Sequence, residues 1–235
     1  MSFNRNSGSA AIRDLGSTNG TFLQGEAIQY AELYDGAKVL LGLRTVLKFV
    51  LQDSIEQNYQ ENIYDSSTRD GLTGCYNRKY LMERMVSHLS YSRRHKIPYT
   101  VVMLDIDHFK RVNDTYGHRT GDHVLVTISK VISKMVRAED VFARYGGEEF
   151  AIVAQGTSYE GARVLAERVR KRVSEEIITV VGGHGEKISI TISLGVVTVL
   201  PTATVDAAKI IAGADKNLYK AKENGRDNVV VSELS

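Results

Sequence analysis

Cysteine is almost missing from this chain of 235 residues. Cys75 is the only one, which excludes an intrachain disulfide and a cysteine-rich zinc site and suits a reducing compartment. A long apolar run is missing too. The most apolar stretch, residues 39–51, is broken by Arg44 and Lys48 and is too short to cross a bilayer, and no secretory leader precedes it; no membrane is expected, and the expected location is the cytoplasm. Nor does charge of one sign dominate. With 30 basic and 28 acidic side chains the formal net charge is +2, so no global field recruits nucleic acid or an anionic surface. Repeats and low-complexity tracts are absent, which excludes a solenoid. What is present is ordinary globular composition, long enough for a catalytic domain with a smaller module beside it.

Residues 10–15, 21–23 and 38–50 read as short strands, separated by turns at Gly16 to Gly20 and at Gly25 and broken at Gly42. Residues 52–67 are polar, with Ile55, Tyr59 and Ile63 four apart, the pattern of a narrow amphipathic helix that could pair with a twin. From residue 70 the pattern is mixed. Helices are expected at 78–94, around 124–135, at 159–177 and at 205–224, with strands at 99–104, 141–145, 149–153 and 188–199 and Gly225 closing the last helix. The expected organisation is a β module over 1–51, a helical linker over 52–69 and an α/β domain over 70–235.

Three clusters carry chemistry. Asp105, Asp107, Asn113, Asp114 and Asp122 gather after one strand, and hard oxygen donors so placed suit Mg²⁺ shared with phosphates. For Asp105 the metal is favoured; Asp107 and Asp114 serve equally well as polar residues capping the next helix. Gly146 and Gly147 permit a left-handed turn and leave room for a triphosphate, and Glu148 and Glu149 follow at once. Neighbours on a straight strand point to opposite faces, so both can be ligands only if the turn twists. Lys222 and Arg226 close the last helix, where they either clamp phosphates or complement the helix dipole.

Together, Asp70-Gly-Leu-Thr-Gly-Cys-Tyr-Asn-Arg78, Asp105-Ile-Asp-His-Phe-Lys110, Asn113-Asp114, Gly117-His118, Gly121-Asp122 and Arg144-Tyr-Gly-Gly-Glu-Glu-Phe150 resemble the GGDEF family of diguanylate cyclases, over about residues 70–231. The resemblance implies a palm-like nucleotidyl cyclase fold of the α+β kind, with a central, mostly antiparallel sheet flanked by helices. It also implies condensation of two GTP into cyclic di-GMP by a homodimer. Asp105, the Ile106 carbonyl and Glu148 would hold two Mg²⁺, or Mn²⁺ in its place, with Glu149 joining them or deprotonating the 3′-hydroxyl. Asn113 and Asp122 would read guanine. Lys110, Phe109, His118, Gly146, Gly147, Lys222 and Arg226 would frame the nucleotide and its phosphates. Arg137 and Asp140, three apart, with Arg168 on the following helix, match the family's product-inhibition site for cyclic di-GMP; the plain alternative is a helix-end ion pair.

Residues 14–22, Asp-Leu-Gly-Ser-Thr-Asn-Gly-Thr-Phe, with Gly25, Asp35-Gly36 and Leu41-Gly42, resemble the second half of a forkhead-associated (FHA) domain. That implies phosphothreonine-peptide binding, with Asn19 fixing the peptide backbone, the peptide coming from the protein's own tail or a partner. The strands that bring the phosphate-binding residues are not found before Ala10, so a truncated or incomplete module is expected, and half a sandwich exposes edge strands. Competing readings are a receptor that binds cyclic di-GMP without making it, another nucleotidyl cyclase or polymerase-like palm, and a zinc hydrolase built on His108, His118 and His123.

Overall fold

The segment Tyr99–Ile106 is buried at every position, which requires a middle strand with helices covering both faces of its sheet. The computed structural model describes residues 2–4, 9–50 and 65–235, and contacts divide the chain into Met1–Ile63 and Tyr64–Ser235. The expected linker helix with Ile55, Tyr59 and Ile63 lies outside the described residues.

The first unit consists of two small antiparallel sheets. Strands β1 (Ser2–Asn4), β2 (Ser9–Arg13) and β5 (Tyr30–Leu33) form one, in the order β1-β2-β5; β3 (Thr21–Leu23), β4 (Glu26–Ile28), β6 (Lys38–Leu41) and β7 (Thr45–Lys48) form the other, in the order β4-β3-β6-β7. Strands β1, β4 and β5 were not foreseen, β1 lying before Ala10 where no strand was expected, because runs this short carry too little alternation to register. The interior is thin: Ala10, Ile12, Leu33, Ala37 and Val39 are buried, while β7 is exposed along its length and Leu43 and Val46 face water.

The second unit is a mixed sheet between helices. Its strands are β8 (Tyr76–Asn77), β9 (Tyr99–Ile106), β10 (Val141–Gly146), β11 (Glu149–Gln155), β14 (Ile192–Val199) and β15 (Val229–Leu234), in the order β15-β14-β9-β11-β10-β8. The inner pairings β14–β9, β9–β11 and β11–β10 are antiparallel, and the outer pairings β14–β15 and β10–β8 are parallel. A separate ribbon joins β12 (Ile178–Thr179) to β13 (Lys187–Ile188). The helices are α1 (Arg78–His95), α2 (Phe109–Tyr116), α3 (His118–Ser133), α4 (Tyr159–Ser174) and α5 (Ala207–Glu223).

Alternation along β9 sorts the core. Val102, Leu104 and Ile106 pack with Val124, Ile128 and Val169 of α3 and α4, whereas Val101 and Met103 pack with Leu81, Met85, Ile210 and Leu218 of α1 and α5. A Cβ at Gly195 would overlap the backbone of Ala214 and Leu218, so glycine is what lets α5 lie so close to β14. Caps fix the helix starts: Asn77 accepts from the Tyr80 N–H, Ser158 from Gly161 and Asp206 from Lys209. Among the described residues no helix is long and apolar enough to cross a membrane.

Several expectations are corrected. Asn113 and Asp114 lie on a helix of their own rather than in a loop, because Gly117 at φ +78° separates α2 from α3. The expected strand over 188–199 is two, split between the ribbon and β14. Helix α4 stops at Ser174, and β15 was not foreseen at all.

Candidate active site

Asp105 is the next-to-last residue of β9, not a residue beyond it, and is 7% exposed. In register it lies between Glu149 on β11 and Ser193 on β14. Its odd position puts it on the α5 side of the sheet, and Lys222 Nζ of that helix stands 2.8 Å from its Oδ2. Burial pushes the Asp105 carboxyl above its usual range, and the attraction of Lys222 does not cancel the rise, to which Glu148 and Asp107 add. The Glu149 carboxyl is raised as well, first by burial and then by Asp105. Asp105 and Glu149 thus share the field of one lysine.

The turn between β10 and β11 explains how two neighbouring glutamates share one site. The ladder slips between Arg144 and Gly146, and Gly147 adopts φ +48°. Glu148 therefore sits in the turn, its carbonyl accepting the Ile106 N–H at 3.4 Å, while Glu149 opens the next strand. The turn is braced from afar. Arg144 Nε donates to the Gly147 carbonyl at 2.9 Å, and Nη1 donates to both Asp70 carboxylate oxygens at 3.2 and 3.3 Å. Asp70 also accepts the Thr73 N–H and hydroxyl at 2.9 and 2.7 Å, so the turn is anchored to the start of the domain. Sequence reading gave this brace no role, since nothing local links two positions so far apart.

Asp107 is not free to act as a ligand. Its carboxylate accepts from the Thr191 and Ser193 hydroxyls and from the Asp227 N–H. Asp114, Lys110 and His118 are exposed, Phe109 is buried at the start of α2, and Ile106 is 1% exposed. Asn113 and Asp122 are brought together through Gly121: a Cβ there would overlap the Asn113 amide, and Asp122 is the next residue. At the end of α5 the Arg226 N–H returns to the Ala221 carbonyl at 3.2 Å, a Schellman-type stop with Gly225 at φ +102°. Arg226 and Asp227 continue in left-handed conformation, each costing roughly 1–2 kcal/mol in an L-residue. Lys222 serves Asp105 directly, so a dipole role alone does not describe it.

Arg137, Asp140 and Arg168 line one cavity of about 330 Å³, with Met135, Thr157 and Ser158. Arg137 and Asp140 are joined through the backbone rather than by the ion pair first considered: the Arg137 N–H donates to Asp140 Oδ2 at 3.0 Å, and the Asp140 N–H donates to the Arg137 carbonyl at 3.1 Å. Asp140 is 8% exposed, its Oδ1 has no hydrogen-bond partner, and burial raises its carboxyl. Arg168 is held across the cavity by a bond from Nη2 to the Met135 carbonyl at 3.1 Å.

With the geometry in hand, comparison with known proteins is decisive. The family model described as "Diguanylate cyclase, GGDEF domain" matches residues 67–228. The chain belongs to the GGDEF family. Diguanylate cyclase A of Treponema denticola is 39% identical over 175 residues, 73% of this chain and 46% of that protein. The chain spans under half the length of the curated relatives it matches first. Among solved structures, the GGDEF domain of DgcB from Caulobacter crescentus, in complex with c-di-GMP, is 32% identical with a TM-score of 0.67, covering 70% of this chain and 93% of that one. The active GGEEF domain of a diguanylate cyclase from Vibrio cholerae is 34% identical with a TM-score of 0.61, covering 68% and 99%.

Upstream of the GGDEF domain, the FHA family model matches residues 1–42. Asn19 is exposed in the turn before Gly20 and lies against Gly42, whose N–H bonds to the Gly20 carbonyl at 3.0 Å. Asp14 organises the same loop, accepting from the Gly16 and Ser17 N–H groups at 3.1 and 2.8 Å. His108, His118 and His123, the candidates of the zinc reading, are all exposed.

Proposed function

We propose that this protein is a diguanylate cyclase, condensing two GTP into cyclic di-GMP and two pyrophosphates as a homodimer. The observation that carries the proposal is Asp105, buried on the central strand, in register with Glu149 and beside the Gly146-Gly147-Glu148 turn. Two carboxylates and a carbonyl, from Asp105, Glu148 and Ile106, make a hard oxygen set that leaves coordination positions for phosphate oxygens, as Mg²⁺ prefers. The excess negative charge around Lys222 fits a divalent cation at the same place. When bound, that cation would polarise the α-phosphate and neutralise charge as pyrophosphate leaves.

The remaining work falls to the chain. Asn113 and Asp122 accept and donate along the guanine edge, a pattern adenine does not match, which gives selectivity for GTP. Lys222, Arg226, Lys110 and His118 hold the triphosphate in line, with the glycine turn giving its backbone access. Glu149, with its carboxyl already raised, takes the proton from the attacking 3′-hydroxyl. Each domain holds one GTP, so two must face each other for each hydroxyl to reach the other's α-phosphate.

Arg137, Asp140 and Arg168 form the product site in this reading, supported by their lining one cavity. The FHA-like module would bind a phosphothreonine peptide through Asn19 and tune dimerisation; the match over residues 1–42 supports it. The test is to incubate the chain with GTP or ATP and Mg²⁺ and follow cyclic dinucleotide by chromatography and mass spectrometry, beside Glu148→Gln. Product from GTP alone, lost in Glu148→Gln, is expected. No product, with cyclic di-GMP still bound through Arg137, would make the protein a receptor.

A further inference from the structure

Asp107 is two residues from Asp105, yet its oxygens are occupied elsewhere. Oδ1 accepts the Ser193 hydroxyl at 2.7 Å; Oδ2 accepts the Thr191 hydroxyl at 2.7 Å and the Asp227 N–H at 3.0 Å. The Asp107 N–H adds a bond to the Thr191 carbonyl at 2.9 Å, and the residue is 5% exposed. One side of this network fastens β9 to the approach and start of β14; the other reaches the loop that follows α5.

That loop is unusual. Gly225, Arg226 and Asp227 have φ of +102°, +64° and +42°, three successive left-handed residues of which only the first is glycine. Such a backbone persists only where its surroundings over-determine it. Two clamps do so. Asp107 holds the Asp227 amide, and the Asp227 carboxylate takes Arg170 Nη1 of α4 at 2.7 Å. Between these clamps and the helix end stands Arg226, exposed, four residues after the lysine that meets Asp105.

We infer that Asp107 is a positioning residue for nucleotide binding: through the Asp227 amide it holds the left-handed loop that presents Arg226 to the triphosphate. The inference rests on the phosphate role proposed for Arg226. A neutral amide is a poorer holder than Asp107. Asparagine keeps one uncharged acceptor oxygen for the Asp227 N–H, and its N–H₂ forces the Ser193 hydroxyl to turn round and accept. Arg170 is the second clamp, acting on the same loop from its other side.

The test uses the full chain with Mg²⁺ and a non-hydrolysable GTP analogue, titrated calorimetrically. Asp107→Asn is expected to weaken the analogue about tenfold, and Arg170→Ala, which touches neither Asp107 nor the cleft, by a smaller factor. Arg226→Ala weakens it too, and adding Asp107→Asn or Arg170→Ala to Arg226→Ala is expected to change nothing further. Hydrogen exchange at the Asp227 amide is expected to quicken in Asp107→Asn. Losses that multiply independently in the Arg226→Ala background overturn the inference, as does an unaltered chain that fails to bind the analogue. A chain that binds with the expected coupling but turns over no GTP leaves this inference standing and sinks only the cyclase proposal.

Discussion

Asp105, beside the tip of the β10–β11 hairpin, and Asp140, at its base, lie roughly 20 Å apart by the rise of a six-residue strand. Both are buried carboxyls raised for the same first cause, removal from water. They differ in what answers their charge. Asp105 has a lysine at 2.8 Å and two more acids around it, so the site has surplus negative charge that suits a metal ion. Asp140 has backbone donors on one oxygen and nothing on the other. A cavity lined by one buried carboxyl and two arginines suits a ligand that brings phosphates. In the proposed function the two ends of this hairpin adjoin two recognition chemistries, and burial alone does not say which is which; the neighbours do.

The strongest way to break this contrast is at the tip. Asp105→Asn is expected to reduce cyclic di-GMP formation by about 10³-fold or more, since several kcal/mol of charge stabilisation are lost. Turnover within tenfold of the unaltered chain would show that Asp105 is not a metal carboxylate. Next comes the base. Arg137→Ala is expected to weaken cyclic di-GMP binding by about 2–5 kcal/mol in calorimetry, with initial turnover unchanged; equal loss of turnover would merge the two sites into one. A smaller effect is expected from Gly121→Ala, whose new methyl displaces the Asn113 amide. KM for GTP should rise about tenfold, as for a strained insertion of about 1–3 kcal/mol, and preference over ATP should narrow.

The smallest effect is a pH dependence at the base. Because the folded-state value of Asp140 is raised, the folded protein holds that proton more tightly than the unfolded chain does. The stability this contributes is present below the ordinary 3.8 and is lost as pH rises through the raised value. Asp140→Asn removes the titration, so the Tm of the unaltered chain, relative to that variant, is expected to fall as pH rises through this window. An unchanging difference across thermal scans would place Asp140 in a more solvated setting.

What was legible in the sequence follows the range of each interaction. The glycine turn, the acid that closes the apolar run 99–104 and the helix stop at Gly225 announce themselves locally, through φ preference and apolar patterning. The Lys222–Asp105 contact and the Arg144–Asp70 brace join distant positions and carry no local mark. The sequence favoured the metal for Asp105 and left Asp107 open between ligand and cap; the Thr191 and Ser193 hydroxyls and the Asp227 N–H are what occupy Asp107. Strand β15 escaped notice because Val229–Leu234 is half-buried at an edge, where alternation is weak. In the first unit the FHA-like loop was readable, while β4 and β5 were too short to be.

The full burial of β9 bears on control. Amides of a central strand, paired on both sides and covered on both faces, exchange with solvent only when the whole domain opens, so the site they carry cannot be switched by local melting. Under the dimeric reaction proposed above, the off state would keep an intact half-site, and a regulator would act on the effective concentration of one domain near its twin.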